Sequence, residues 1–158
     1  MKVASILKGH ALFSNFSIEE MNLISGFSEK KRYRKHELVF EYGQKANHVF
    51  VLLEGSVLLH LPAKPEEFRI VISKVAAGDL FGLSSLLGSE QYILDAQCAE
   101  LADILVIDAK KFRNLLEKDP TAGFIIMNEV ASTYFNRYIE ILNRFQGIVT
   151  QIPLISNT

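Results

Sequence analysis

The apolar positions of this chain change their period twice. Near the start, Ser17-Ile18-Glu19-Glu20 predicts a helix: the Ser17 hydroxyl accepts from one free amide, and the Glu20 carboxylate reaches back to the Ser17 amide. Phe16 and Met21 stand at staple spacing across that cap, and Gly26 is a natural stop. From Glu37 to about Asp108 the helical spacing gives way to short runs rich in Val, Ile, Leu and Phe, punctuated by Gly43, Gly55, Pro62, Pro65, Gly78 and Gly88. That punctuation predicts an antiparallel roll or barrel, with its clearest strands at residues 49–53, 57–59, 68–75, 92–99 and 104–107. Glu54-Gly55 reads as a tight hairpin turn between the first two strands, because glycine supplies a positive φ. Beyond the roll, Asp108 caps a short helix carrying Phe112, Leu115 and Leu116, and Asp119-Pro120 opens a last, longest helix.

On that last helix Met127, Ala131, Tyr134, Tyr138, Ile141, Phe145 and Ile148 follow the 4-3 spacing of a coiled-coil seam. A second apolar stripe, Phe124, Phe135, Ile139 and Leu142, lies on a different face. A single roll does not readily cover two faces of a helix of ~25 residues, ~38 Å long, so one face is expected to pack on the roll and the other to meet a partner helix in a homodimer. The alternative is that both faces are buried within one molecule. The fold expected from this spacing is mainly β with flanking helices, an antiparallel roll or barrel. Its parts are an N-terminal helical segment at 1–27, the roll with a ligand-type pocket at 28–108, C-terminal helices with the dimer helix at 109–148, and a tail at 149–158.

With 158 residues, 49% of them hydrophobic, the chain buries one core. No stretch approaches the ~20 consecutive apolar residues of a membrane span, and the first residues lack the apolar region of a signal peptide, so a cytoplasmic protein away from membranes is expected. Cys98 is the single cysteine and has no internal disulfide partner. A net charge of -1 gives no global attraction for nucleic acid. The local exception, Lys30-Lys31-Arg32-Tyr33-Arg34-Lys35, is a candidate phosphate patch, but a short isolated run reads better as the solvated face of a surface strand. A metal enzyme on a cupin-type roll needs two or three histidines and a carboxylate converging inside it; His10, His36, His48 and His60 are scattered, so neither a metal site nor catalysis is expected.

The segment Gly78-Asp79-Leu80-Phe81-Gly82-Leu83-Ser84-Ser85-Leu86-Leu87 leaves a strand through a glycine turn and opens a short helix. Its first amides and two serines are expected to face one point, an anion site. Taken with a leading helix bearing Leu12-Phe13 and Glu19-Glu20-Met21, and with the run from Gly43 through Val49-Phe50-Val51-Leu52-Leu53-Glu54-Gly55 to Val57, this segment resembles the cyclic nucleotide-binding domain. That domain is the sensor module of catabolite-activator-type transcription factors, kinase regulatory subunits and some channels. The resemblance runs from about Leu7 to the last helix.

It implies a double-stranded antiparallel β-roll, of the jelly-roll, cupin-like kind, with N-terminal helices and a long C-terminal helix, and a pocket whose phosphate cassette comprises Phe81, Gly82, Leu83, Ser84 and Ser85, with Ile93, Leu94 and Asp95 on the strand that follows. In cassettes that bind cyclic AMP or GMP, a Glu follows the glycine and holds the ribose, and an Arg before the next strand pairs with the phosphate. The matching positions here are Leu83 and Ile93. Losing two charge-assisted contacts of ~1.5–3 kcal/mol each weakens binding by ~10²- to 10⁴-fold. Three readings follow. The pocket serves an apolar small molecule or none; or it takes a cyclic nucleotide through surrogate contacts from Ser84, Ser85 and backbone amides, with Arg69 as a substitute cation; or it carries haem on His48, His60 or Cys98. The first is preferred, and no cofactor is expected. Family transcription factors carry a helix-turn-helix domain after the dimer helix, whereas Gly147 to Thr158 is too short for one. The expectation is therefore a non-catalytic regulatory sensor that reads no DNA by itself and acts on a partner protein or through an output domain.

Overall fold

A computed structural model describes residues 2–62 and 69–151. Pro65, Phe68, Pro153 and the tail from Ile152 onward lie outside the described residues. The chain opens with two helices, α1 (Val3–Gly9) and α2 (Ile18–Gly26), joined through a 3-10 turn at Ala11–Phe13. Among the described residues eight strands follow: β1 (Ser28–Tyr33), β2 (Leu38–Phe40), β3 (His48–Glu54), β4 (Val57–His60), β5 (Val71–Val75), β6 (Leu80–Phe81), β7 (Asp95–Cys98) and β8 (Ala102–Asp108). Helices α3 (Ala109–Lys118) and α4 (Pro120–Thr150) close the chain.

The strands form two four-stranded sheets, β1-β8-β3-β6 and β2-β7-β4-β5, with every pairing antiparallel. This is the antiparallel roll that the apolar spacing predicts, in the double-stranded form with helices at both ends that the family resemblance implies. On β3, Val49 and Val51 face a core shared with Leu7, Phe13, Ile24 and Phe112 of the helical segments, while Phe50 and Leu52 face the second sheet. On β8, Leu105 and Ile107 face the helices and Ile104 and Val106 the second sheet. A sheet covered on both faces needs apolar residues at successive positions, which is why these two strands read as unbroken apolar runs.

The local helix signals appear as written. The Ser17 hydroxyl accepts from Glu20 N at 3.1 Å while the Glu20 carboxylate accepts from Ser17 N at 2.8 Å, and Phe16 and Met21 are both buried beside the cap. Asp108 accepts from Lys111 N at 2.9 Å and Asp119 from Ala122 N at 3.2 Å. Helix α1 has no side-chain cap and no sequence signal announces it; buried Leu7 fixes it to the core.

Four expectations are corrected. Glu54-Gly55 is not a hairpin turn, because β3 and β4 lie in different sheets; Gly55, at φ 93°, turns the chain from one sheet into the other. The strand read at 92–99 is confined to Asp95–Cys98, since Tyr92 and Leu94 are buried ahead of the ladder. In the run at 68–75, the described strand begins only at Val71. Helix α4 is also longer than expected, at 31 residues.

The basic run begins on edge strand β1, which holds Lys30 to Tyr33 and leaves Arg34 and Lys35 beyond its end; on the strand, alternate residues share a partner. Arg32 grips Asp103 through two hydrogen bonds, Nε to Oδ1 at 2.7 Å and Nη2 to Oδ2 at 3.0 Å, and Lys30 Nζ lies 2.7 Å from Asp103 Oδ2. Asp103 is buried on β8, and these cations hold its carboxyl far below the usual carboxylate range. Lys31 on the opposite face of the strand pairs with Glu29. Half of the run is thus tied to carboxylates of this chain, in keeping with a strand face rather than a phosphate patch.

Candidate ligand-binding site

The cassette segment begins at Gly82, whose φ of 68° belongs to the left-handed region that a side chain resists. A Cβ there would stand 2.7 Å from the Phe50 ring. Glycine thus lets the chain leave β6 pressed against Phe50 and turn at once into a single 3-10 turn, Leu83–Leu86. Phe81 lies beneath it, fully buried, its ring centroid 5.2 Å from that of Phe50. Phe40 continues this aromatic layer, and Tyr92 stacks on Phe40 at 4.0 Å between centroids.

Above the layer lies a cleft. Its walls are Gly82, Leu83 and Ser84 of the cassette, Tyr92, Ile93 and Leu94 ahead of β7, Phe40 and Leu59 of the second sheet, and Tyr134 and Arg137 of α4. The cavity left between them is about 20 Å³, room for about one water molecule. Helix α4 thus forms one wall of the cleft through Tyr134 and Arg137.

Five of the eight predicted pocket positions meet here: Gly82, Leu83, Ser84, Ile93 and Leu94. Phe81 supports the floor instead. Ser85 is buried and its hydroxyl donates to Gly82 O at 2.8 Å, so the two serines do not converge on an anion as the sequence suggested; one is used to close its own turn. Asp95 does not line the cleft, because its Oδ1 accepts from Tyr42 N at 2.7 Å and its Oδ2 lies 3.6 Å from Nδ1 of buried His60. Arg69, the candidate substitute cation, donates to Gln97 and is not in the cleft wall.

The histidines and the cysteine are equally apart from it. Burial, with the nearby Glu37 carboxylate, pushes the Cys98 thiol up to about 11, so it stays protonated near neutral pH. His48 is exposed on β3, and His60 is enclosed beside Asp95. Among the described residues no group of three His, Cys, Asp or Glu could hold a metal ion, and the cleft wall contains neither His nor Cys. These residues do not fit a haem or cupin-type metal in the cleft.

The residue missed by sequence reasoning is Arg137. Its Nε is buried and has no hydrogen-bond partner among the described residues, and its guanidinium carbon stands 5.3 Å from the centre of the Tyr134 ring. Burial lowers its pKa from the ordinary arginine value. A buried donor left unpaired costs about 1–3 kcal/mol. Periodicity does put residues 134 and 137 on one face of a helix, and an arginine three residues after an apolar-seam tyrosine is the signal that marks this face as the polar one of the cleft.

Tyr134 is also a correction to the proposed seam. Tyr134 and Met127 pack against their own roll, because the buried stripe Ala122, Gly123, Ile126 and Val130 seats the first half of α4 on the core. Ala131 is exposed beside them, and Tyr138, Ile141 and Phe145 continue as an exposed apolar surface together with Phe135, Ile139, Leu142 and Ile148. Near the far end, Arg144 Nη1 donates to Val71 O at 2.7 Å and ties α4 to β5. Among the described residues no helix is long and apolar enough to cross a membrane.

Comparison with known proteins accords with this geometry. The chain is 26% identical over 132 residues to a cAMP-dependent protein kinase regulatory subunit of Mycosarcoma maydis; the match takes in 80% of this chain and 24% of that protein, so the chain spans about a quarter of its length. A protein assigned to cyclic nucleotide binding, from Geobacter metallireducens, superimposes with a TM-score of 0.71 at 25% identity, covering 87% of this chain and 99% of its own. The sensor domain of the transcriptional regulator DNR from Pseudomonas aeruginosa gives the same TM-score at 16% identity over 86% and 96%, a likeness of fold alone. The family model for the cyclic nucleotide-binding domain matches residues 30–119, more than half of the chain, and the chain belongs to that family.

Proposed function

We propose that this chain is a non-catalytic, cytoplasmic regulatory sensor module that passes the state of its cleft to α4, works as a homodimer through the exposed half of that helix, and does not hold a cyclic nucleotide by the usual charged anchors. One observation carries the reading: the helix that walls the cleft through Tyr134 and Arg137 is the helix that presents Tyr138, Ile141 and Phe145 to solvent. A ligand larger than a water molecule would have to displace part of the wall, and in this reading α4 is the part that yields; a ligand that prefers the moved arrangement shifts the population toward it. Leu83 and Ile93, standing where the family places its Glu and Arg, support the second half of the reading. The kinase regulatory subunit and the regulator's sensor domain described above are relatives in which such a module serves a larger protein, so a protein partner or an output domain is part of the proposal.

The test is a thermal-shift screen with cyclic AMP, cyclic GMP and apolar metabolites, followed by hydrogen exchange across residues 131–150. A ligand at 100 times its dissociation constant adds ~2.7 kcal/mol of stability. An apolar ligand is expected to raise Tm and to alter exchange in α4. A rise of several degrees with either cyclic nucleotide overturns the ligand half of the reading, and stabilisation without any change in α4 overturns the transmission half.

A further inference from the structure

Among the described residues of the cleft wall, Arg137 is the one cation and there is no carboxylate. The remaining wall is aromatic or aliphatic apart from the Ser84 hydroxyl, with Phe40, Tyr92 and Tyr134 contributing flat faces. Arg137 brings a buried Nε–H that none of the described residues accepts; the neighbouring carboxylate of its helix, Glu140, attracts the guanidinium but is exposed to solvent and makes no hydrogen bond to that Nε. A guanidinium with an unpaired buried Nε–H, over an apolar, flat-walled cleft, selects one ligand chemistry: an oxyanion to complete the arginine's hydrogen bonds, carried on a flat apolar body.

We infer that the cleft binds a compact aromatic oxyanion, a carboxylate or phosphate without a sugar, and that Arg137 of α4, not the cassette, is its charged anchor. This rests on the reading of the cleft as the ligand site. It places the affinity determinant on the moving element: the ligand enters as the Tyr134–Arg137 turn lifts, and the long arginine stem keeps its charge over the opening. Ligand charge and helix position are thereby coupled through one side chain.

The test uses 2-naphthoate and its uncharged isostere 2-naphthamide, titrated calorimetrically into the wild type, Arg137→Gln and Arg137→Lys, with melting curves to show that the variants fold. The wild type is expected to bind naphthoate at least about tenfold more tightly than naphthamide, a difference of about 1.4 kcal/mol. Arg137→Gln should reduce the ratio to within about twofold, and Arg137→Lys should keep part of it. A cyclic AMP and adenosine pair, run in parallel, distinguishes a nucleotide from a sugar-free anion; a larger charge preference in that pair overturns the sugar-free assignment. A preference that survives Arg137→Gln, or the lack of binding by both naphthyl probes, overturns the inference. Loss of the preference in Arg137→Gln without any ligand effect on α4 exchange leaves the anchor standing and removes the sensor reading instead.

Discussion

Tyr92 and His48, 44 residues apart in sequence, exchange two hydrogen bonds: the Tyr92 hydroxyl accepts from His48 N at 3.2 Å and donates to His48 O at 2.7 Å. A single phenol thus serves both backbone groups at the start of β3 while its ring forms part of the cleft wall. Burial pushes this phenol up to about 12, so it keeps its proton throughout the physiological range. Tyr92→Phe leaves the ring in place and removes both bonds. Stability should fall by about 1–3 kcal/mol, measured by urea denaturation, with an unchanged m-value because the surface buried is nearly the same.

Gly82→Ala should be costlier than a methyl group suggests. The left-handed φ opposes a side chain by about 1–2 kcal/mol, and a Cβ pressed on the Phe50 ring adds about 1–3 kcal/mol of overpacking. Chemical denaturation checks the sum; a loss below about 0.5 kcal/mol would mean that the cassette turn relaxes freely.

Asp103 provides an acid-sensitive contribution. Its pKa is lowered in the folded chain, first by the Arg32 hydrogen bonds and then by Lys30, so the folded state favours the ionised form. The stability this brings is complete above the ordinary carboxylate pKa near 3.8 and is lost as pH falls through and below that value, where the unfolded chain takes up the proton first. Asp103→Asn should lower stability at pH 7 and flatten the decline between about pH 4 and pH 2 in thermal melts, the ordinary carboxylate range being the window that linkage assigns. An acid limb as steep as that of the wild type would assign the decline to other carboxylates.

The exposed half of α4 predicts the oligomeric state. Tyr138→Glu together with Ile141→Glu places two like charges on each side of the proposed helix pair, and light scattering should give a monomer where the wild type gives a dimer. A wild type that already scatters as a monomer removes the dimer from the proposed function.

What the chain announces locally was legible, and what depends on distant packing was not. Ser17, Asp108 and Asp119 accept hydrogen bonds from residues three positions along, so their signals are complete within a few residues. The apolar runs of β3 and β8 were equally plain, because both faces of that sheet are covered. Strands β2 and β6, of three and two residues, exist only because β7 and β3 pair with them, and no run that short carries its own signal. The cassette positions Gly82, Leu83, Ser84, Ile93 and Leu94 were readable through the family pattern, whereas Asp95 is turned away by Tyr42 and His60, contacts that a pattern does not contain. Arg137 escaped for a related reason: a helical period groups it with Tyr134, but the packing of α3 against α4 decides which side of the roll that group meets.

The buried stripe of α4 ends at Val130, and the helix continues to Thr150. At 1.5 Å per residue, the cleft wall at Arg137 lies about 10 Å beyond that point and the helix end about 30 Å beyond it. In the proposed sensor, a pivot at Val130 would make α4 a lever with a gain of about three, a rise of about 1 Å at the cleft becoming about 3 Å at the far end. The Arg144 hydrogen bond to Val71 O lies at an intermediate arm length, so the proposed displacement would have to release it before the far end of α4 could shift against a partner helix.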